Sequence, residues 1–485
     1  MRAAEENAFA AGISADGLME QAGEGIARCA WEIAGTPGIC HVFFGKGNNG
    51  GDALVAARLL AAEGWEIREH PAASTPGTLP AAKLKALHAV TISKKSGPAS
   101  RGRCPIIALD GLLGTGARGE PRGATAEAIR EINELRQRGA RVIAIDIPSG
   151  LDPDTGVPSP DCVAAHWTAT LGAVKSGLVT DTATPFVGRI ELVPLHGVRV
   201  ECDTTWSVAT PGWLRSLLPP RPTESHKGTC GRVSIVAGSE GFLGAACLAS
   251  AAAVRAGAGL VTLFTDPKSA ELLARMCFPE VMVHATPNLR RVLDHPADVL
   301  AIGPGLGRMH DTHVLSLIRD FNGPAVVDAD ALNALAADPG LLRRAAGPRI
   351  LTPHPGEMTR LAPAQGRSRR VWASEFSKEF QCFTLLKGAR SVFARPDGTG
   401  VFNSTGSPGM ASGGMGDVLT GTLAGLLPQI AGADAAPAAM WLCGRAAEIA
   451  LSHRESEQSL RASDVIANLG RAFRYLTHDV PTPAG

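Results

Sequence analysis

Short apolar runs that stop at an acid or a glycine turn recur along this chain, and few folds accept that pattern. Ile106-Ile-Ala-Leu109 ends in Asp110, Val142-Ile-Ala-Ile145 in Asp146, and Ala325-Val-Val327 in Asp328. Each is short enough for a buried strand, and the stretches between them supply helix formers, which describes an α/β chain with a parallel sheet. In an open parallel sheet the ligand crevice lies outside the carboxyl ends of the strands, so the acids converge where a ligand would sit. An Asp at one strand end commonly starts a turn or caps a helix; the same layout repeated beside Gly or Ser points to a site.

Glycine turns mark two further positions. Val42-Phe-Phe44 reads as a buried strand, Gly45-Lys-Gly-Asn-Asn-Gly-Gly-Asp52 as a glycine and amide turn, and Ala53 to Ala62 as a helix. That is dinucleotide or phosphate geometry, although it is neither a strict GxGxxG nor a P-loop. Gly409-Met-Ala-Ser-Gly-Gly-Met-Gly-Asp417 precedes a run with helical apolar spacing from Val418 to Leu427. Backbone N–H groups freed by glycine, together with the helix dipole, favour a phosphate there, and Asp417 sets a carboxylate beside it. Met415 interrupts the glycines, but backbone amides hold the anion, so its side chain does not abolish such a site.

A length of 485 residues fits two large domains, and 45% hydrophobic residues with 56 glycines and 19% charged residues exclude disorder. A net charge of +1 gives no basic face for nucleic acid. The one basic cluster, Arg367, Arg369 and Arg370, reads as a solvated loop. Ten cysteines never fall in a CxxC spacing and no secretory signal precedes them, so reduced thiols in the cytoplasm are expected. The most apolar stretch, Ala245 to Phe264, contains Arg255 and several glycines and reads as a buried helix and strand; no membrane segment is expected.

Residues 1 to 35 carry Leu18, Met19, Ala22, Ile26 and Cys29 on one helical face. Asn48, Asn49, Asp52, Asp110, Asp146 and Ser149 offer oxygen ligands suited to a hard cation or to ribose and amide groups, with no His or Cys cluster for zinc. In order and spacing, Gly47-Asn-Asn-Gly-Gly-Asp52, Asp110-Gly-Leu-Leu-Gly-Thr-Gly116 and Asp146-Ile-Pro-Ser-Gly150 resemble the NAD(P)HX epimerase domain of the YjeF N-terminal family. The resemblance covers residues 1 to about 200 and implies a Rossmann-like three-layer domain interconverting R and S hydrated NADH or NADPH. It implies that Asn48, Asn49, Gly50, Gly51 and Asp52 line the substrate, as do Gly114, Thr115, Gly116, Ala117, Arg118, Gly119 and Glu120. It further implies Asp146 as substrate-contacting and catalytic acid/base, and a potassium ion held by Asn49, Asp110 and Ser149. The family also implies a longer segment before the first motif helix than this sequence supplies.

Residues from about 197 to 225 lack periodicity and end in Leu-Leu-Pro-Pro-Arg-Pro222, which reads as a linker, so domains of 1–200 and 201–485 are expected. Beyond it the strand and turn pattern resumes: Val233 to Val236 before Ala237-Gly-Ser-Glu-Gly-Phe-Leu-Gly244, a helix from Ala245 to Ala256, and a strand from Leu260 to Phe264. Val299 to Ile302 precedes Gly303-Pro-Gly-Leu-Gly307, and Ile350-Leu-Thr-Pro-His-Pro-Gly-Glu357 and Leu385-Leu-Lys-Gly-Ala-Arg-Ser391 follow, with a β-rich insert from Ser391 to Phe402. His354, between two prolines at a strand end, reads as ligand-facing; Asp328 and Asp330 read as helix caps before a metal site. These ordered motifs are similar to the ADP-dependent NAD(P)HX dehydratase, a ribokinase-like α/β family, over about 205 to 480. The resemblance implies that Ala245, Gly307 and His354 contact the hydrated dinucleotide. It makes Lys387, Gly388, Ala389, Arg390, Ser391 and Gly416 nucleotide-binding and Asp417, against the substrate, the catalytic base. Many relatives carry Asn where Ser407 stands.

The two resemblances together imply a bifunctional repair enzyme for NADHX and NADPHX, with potassium in the first domain and ADP with Mg2+ in the second. A homo-oligomer is expected, with no nucleic acid or membrane partner. Two other readings remain open from residues alone: a ribokinase-like small-molecule kinase in the second half, and a non-catalytic binding module in the first.

Overall fold

The computed structural model describes residues 2–72, 75–93, 104–202, 204–453 and 455–477. It divides into two compact units, Met1–Asp203 and Thr204–Gly485.

The first unit is a single parallel sheet of β1 (Ile39–Phe44), β2 (Glu66–Pro71), β3 (Ile106–Gly111), β4 (Arg141–Ile145), β5 (Trp167–Leu171) and β6 (Arg189–Val193), in the order β2-β1-β3-β4-β5-β6. Side chains of β1 alternate between faces as the pleat demands. Val42 and Phe44 join the core under the helices Ala15–Ala34 and Asn48–Ala62, and Phe43 joins the core under Ala124–Gln137. The result is three layers. Helix Ala15–Ala34 starts where the Ser14 hydroxyl accepts the Gly17 N–H, ends at Gly35 with φ 68, and buries Leu18, Met19, Ala22, Ile26 and Cys29. Strand order reverses between β1 and β3, so the crevice of the doubly wound sheet opens at their carboxyl ends.

The second unit contains β7 (Trp206–Val208), β8 (Arg232–Val236), β9 (Leu260–Thr265), β10 (Val281–Ala285), β11 (Val299–Ile302), β12 (Ala325–Val327), β13 (Arg349–Leu351), β14 (Phe383–Leu386), β15 (Val392–Ala394) and β16 (Gly400–Phe402). Their order is β10-β9-β8-β11-β12-β13-β14-β15-β16-β7. Pairing is parallel from β10 to β14, β14, β15 and β16 form an antiparallel meander, and β7 lies parallel to β16. The direction of strand addition reverses between β8 and β11. Helices Met415–Leu426 and Leu243–Arg255 pack closely because Gly421 and Gly425 carry no side chain: a Cβ there would fall 2.0 Å from the Ala249 carbonyl oxygen and 2.6 Å from that of Ala253.

Three local expectations are corrected. The stretch read as an aperiodic linker contains β7 and the helix Pro211–Leu217, capped by Thr210; an edge strand of three residues is too short to register as alternation. The turn after β1 is shorter than its glycines suggested, since the helix already begins at Asn48 and the Asn-Asn-Gly-Gly-Asp run forms its first turns. The arginine cluster is not simply a solvated loop: Arg369 opens the helix Arg369–Phe380 and donates to the Arg390 carbonyl, while the Arg370 guanidinium sits 5.8 Å from the Trp206 ring centroid.

Candidate functional site

In the first unit the crevice is built from the ends of β1, β3, β4 and β5. Asp110, the penultimate residue of β3, is fully buried; its carboxylate accepts the Ser149 N–H at 2.8 Å, the Ser149 hydroxyl at 2.6 Å and the Leu112 N–H at 3.3 Å. Burial pushes its carboxyl up to about 6 despite those donors. Ser149 Oγ in turn accepts the Leu113 N–H at 3.0 Å, and Asn49 Nδ2 donates to the Leu113 carbonyl at 2.9 Å. Asn49, Asp110 and Ser149 are therefore tied together through Leu113. Gly114 follows directly, where a Cβ would lie 3.6 Å from Asn49 Oδ1.

Asp146 follows β4 with φ 66, a left-handed conformation costly for a residue other than glycine. Its N–H bonds the Ala169 carbonyl at 2.8 Å, and its Oδ1 accepts the Leu171 N–H at 3.1 Å and the Lys175 ammonium. Lys175 is buried and also donates to the Leu171 carbonyl at 2.8 Å and to Thr170 Oγ1 at 3.2 Å. Asp52 is buried in the helix Asn48–Ala62, and burial, then repulsion from Asp146, pushes its carboxyl well above the carboxylate range. A carboxylate paired with a buried ammonium, with a proton-retaining acid in the same unit, is the material of proton transfer.

The remaining expected contacts divide. Asn48 is exposed on the first turn of its helix. Gly50 and Gly51 face protein: a Cβ would fall 2.3 Å from the Gly45 carbonyl oxygen at 50, a backbone clash, and 2.5 Å from the flexible tip of Met19 at 51, so close backbone approach requires glycine at 50. Gly116, Arg118, Gly119 and Glu120 are exposed on the loop with partly buried Thr115 and Ala117, and Arg118 bonds the carbonyls of Thr115 and Ala117.

In the second unit the turns after β8 and β11 lock together. The Gly238 N–H bonds the Pro304 carbonyl at 2.9 Å, and Ser239 Oγ donates to the Gly305 carbonyl at 2.8 Å. Ala245, in the first turn of its helix, lies against Gly305, where a Cβ would come within 3.1 Å of its own. Gly307, with φ 66, donates its N–H to Asp330 Oδ2 at 2.8 Å.

Asp328 overturns its expected part as a cap. It stands at the start of the helix Ala329–Leu335 but makes no side-chain cap; instead Oδ1 accepts the Lys387 ammonium and Oδ2 the Thr420 hydroxyl, each at 2.7 Å. Asp330, also read as a cap, holds the Gly307 amide. Ala329, between them, has φ 48, a second non-glycine left-handed residue at a strand end.

His354 accepts the Gly356 N–H on Nδ1 at 3.0 Å while its own N–H bonds Glu357 Oε2 at 2.8 Å, a reciprocal cap that fixes the ring on a rigid loop with its side chain 52% exposed. Glu357 is buried, and burial raises its carboxyl while Lys387 opposes the shift. Asp417 lies in the first turn of the helix Met415–Leu426, which Gly414 opens with φ 89. Burial first, then repulsion from Asp328, pushes its carboxyl up to about 6. Gly416 is open toward Lys387: a Cβ there would meet Nζ at 3.2 Å.

The turn after β14 is less uniform. Ser391 Oγ bonds the Gly388 amide and carbonyl at 3.3 and 3.2 Å, and the side-chain space of Gly388 is filled by the Arg369 guanidinium. Ala389 is exposed at the tip of this turn. Arg390 is buried with its guanidinium pulled down to about 10 by burial, and it reaches the Asn403 carbonyl at 3.4 Å, so its side chain braces the turn from below. Ser407 accepts the Gly409 N–H at 3.2 Å and donates to Glu457 at 3.0 Å.

Sequence reasoning missed Lys175, Thr420 and Arg369. A lone lysine in Leu171-Gly-Ala-Val-Lys175, just past the apolar Trp167–Leu171 strand, was the available signal for the first. Thr420 had none, because its partner lies 92 residues away in sequence. Among the described residues no group of three or more His, Cys, Asp or Glu is placed to hold a metal ion, and no helix is long and apolar enough to cross a membrane.

Two doubly wound α/β units, each with carboxylates paired to a lysine at its strand ends, Lys175 buried in the first and Lys387 half-buried in the second, define a two-domain α/β enzyme. Residues 15–177 match the family described as YjeF-related protein N-terminus, and 233–468 match the NAD(P)H-hydrate dehydratase family. The chain is 38% identical over 480 residues to the bifunctional NAD(P)H-hydrate repair enzyme Nnr of Moorella thermoacetica, covering 91% of this chain and 88% of that protein. It is 36% identical over 497 residues to the enzyme of the same name in Escherichia coli, covering 97% and 92%. A ribokinase-like superfamily protein from Enterococcus faecalis superposes with a TM-score of 0.51 at 24% identity, covering 58% of this chain and all of that one, a likeness of fold. The chain belongs to the bifunctional NAD(P)H-hydrate repair enzyme family.

Proposed function

We propose that this protein repairs hydrated nicotinamide cofactors, epimerising R- and S-NAD(P)HX and dehydrating the S form to NAD(P)H as ADP becomes AMP and phosphate. The observation that carries the reading is the kinship with the bifunctional enzymes along nearly the whole chain. In our assignment residues 1–200 perform the epimerisation and 201–485 the dehydration.

For epimerisation, Asp146 and Lys175 are the acid/base pair at the hydrated carbon's ring, with Asp52 as a neighbouring proton reserve. Asn49, Asp110 and Ser149 would hold potassium: an oxygen set with a single anionic member suits a large monovalent ion, and burial disfavours the Asp110 carboxylate, a cost that a cation would relieve. When bound, that ion supplies positive charge for the substrate's phosphates or ribose.

For dehydration, Asp417 accepts the proton of the C6 hydroxyl as that oxygen takes the β-phosphoryl group of ADP. Hydroxide leaves poorly near neutral pH, whereas a phosphate held at the helix amides opened by Gly414 leaves readily, and elimination restores the dihydronicotinamide. Lys387, oriented by Asp328 and close to the Gly416 position, supplies positive charge for the phosphoryl group. Ala245, Gly307 and His354 are the dinucleotide contacts, and the turn from Lys387 to Ser391 with Gly416 receives the nucleotide. Mg2+ would be carried on the nucleotide phosphates and would supply charge neutralisation there.

The test is direct. Mixed NADHX epimers incubated with the protein and ADP regenerate NADH absorbance completely; without ADP, absorbance stays flat while the epimers equilibrate. Regeneration without ADP, or of the S epimer alone, would refute one half.

A further inference from the structure

Outside both crevices, one face of the helix Leu243–Arg255 carries Cys247, Leu248, Ala251 and Arg255 at helical spacing. It borders a cavity of about 360 Å³ whose other wall includes Met276, Cys277 and Phe278. Cys277 ends the neighbouring helix Pro267–Met276, and its Sγ lies 3.4 Å from that of Cys247. Two sulfurs bridged by a tetrahedral metal stand about 3.8 Å apart, given a metal–sulfur bond of about 2.3 Å. These are closer than that, at a separation from which disulfide formation needs an approach of about 1.4 Å to the bond length of about 2.05 Å. Both thiols are partly buried yet line an open cavity, unlike the fully buried Cys29, Cys40 and Cys443. The exposed Arg255 guanidinium stands at its edge.

We propose that Cys247 and Cys277 form a reversible dithiol–disulfide site that reacts with anionic low-molecular-weight disulfides admitted to this cavity. The Cys247 thiolate attacks one sulfur of the small disulfide, forming a mixed disulfide and releasing the first small thiolate, which takes up a proton. The Cys277 thiolate, its proton lost to water, then attacks Cys247 Sγ, closing the protein disulfide and releasing the second small thiol. The two protein thiols are oxidised by two electrons and the small disulfide is reduced by the same two. Donation from the Cys277 S–H pulls the Cys247 thiol down, which favours Cys247 as the attacking group. Arg255 selects for an anionic reagent.

The experiment treats the reduced full-length chain with glutathione disulfide, and in parallel with the cationic cystamine, followed by non-reducing peptide mapping. Expected are a peptide cross-linked between Cys247 and Cys277, an intact mass lower by two hydrogens, and reversal by dithiothreitol. Cys277→Ser should arrest at a glutathione adduct on Cys247. Arg255→Glu should slow closure by glutathione disulfide about threefold or more while sparing cystamine. Free Cys247 and Cys277 under conditions that modify the exposed Cys202, or separate adducts on each without a cross-link in the wild-type chain, would overturn the proposal. The wild-type map decides this even if a variant fails to fold.

Discussion

Lys387 Nζ donates to Asp328 Oδ1 at 2.7 Å, joining the strand ends of β14 and β12 beneath the helix that carries Asp417. Burial pulls the Lys387 ammonium down, but Asp328 and Glu357 outweigh it and hold the group above its ordinary range, so it stays charged. Lys387→Met keeps most of the stem and leaves Asp328 with only the Thr420 hydroxyl. Removing one partner of a buried pair costs about 3 to 5 kcal/mol, so denaturant midpoints should fall, and Asp328→Asn in the same chain should recover part of the loss. Dehydration should fall in both variants. Unchanged stability in Lys387→Met would mean that solvent reaches the pair.

Asp417 can act as a base only when ionised, and its carboxyl is held at about 6 by burial first and Asp328 second. The dehydration kcat should therefore rise with pH through about 6 and level above it. Asp417→Asn keeps the volume but cannot accept the proton, and a general base contributes about 10² to 10⁴-fold, so dehydration should drop by that factor and lose the inflection. Epimerisation should not change. Near-normal dehydration would move attention to His354, whose ring is half exposed on the same rim.

Asp146→Ala should leave dehydration of S-NADHX intact and stop consumption of the R epimer beyond its spontaneous conversion. Lys175→Met should do the same, since the ammonium bonds Asp146 directly. If either variant consumes both epimers at the wild-type rate, that residue is structural.

Asp110 links potassium to stability. Its folded pKa of about 6 exceeds the ordinary 3.8, so the fold favours the protonated form. Its stabilising contribution is full below about pH 4 and is lost as pH rises through about 6. A cation at Asn49, Asp110 and Ser149 offsets that loss. Calorimetry should find the first unit's transition raised by potassium at pH 7 relative to a bulky organic cation, with the difference fading toward pH 4. A pH-independent difference, or none, would remove Asp110 from the account.

What was legible in the sequence was local. Asp110, Asp146 and Asp328 declare themselves because apolar run and acid are adjacent, and Asp417 because glycine turn and helix are contiguous. Their partners depend on sheet order, which no local pattern encodes. Lys175 reaches Asp146 because β5 lies beside β4, and Thr420 reaches Asp328 because its helix crosses β12. Gly50 also serves the packing of the protein itself, against the Gly45 carbonyl, since composition does not distinguish a glycine that admits a ligand from one that admits neighbouring backbone.

That same ambiguity can be tested at the Gly409–Asp417 run. The positive φ in this run belongs to Gly414, at 89°, whereas Gly416 is ordinary helix. A Cβ at 414 would also come within 2.6 Å of Leu248 Cδ1 and 3.0 Å of Ala462 Cβ. Gly414→Ala should therefore destabilise the second unit, by about 1 to 3 kcal/mol from backbone strain alone, in denaturant unfolding. At Gly416 a Cβ meets only the flexible tip of Lys387 at 3.2 Å and Asp328 Oδ2 at 3.8 Å. Gly416→Ala should fold with near wild-type stability and act on chemistry, raising the KM for ADP and lowering kcat as the ammonium is displaced. Gly416→Val should strengthen the same effect. The two positions thus separate along different measurements, stability at 414 and kinetics at 416. A Gly416→Ala enzyme with wild-type KM for ADP would mean that nucleotide does not approach this turn, and the phosphate site would have to be sought elsewhere along the carboxyl ends of the sheet.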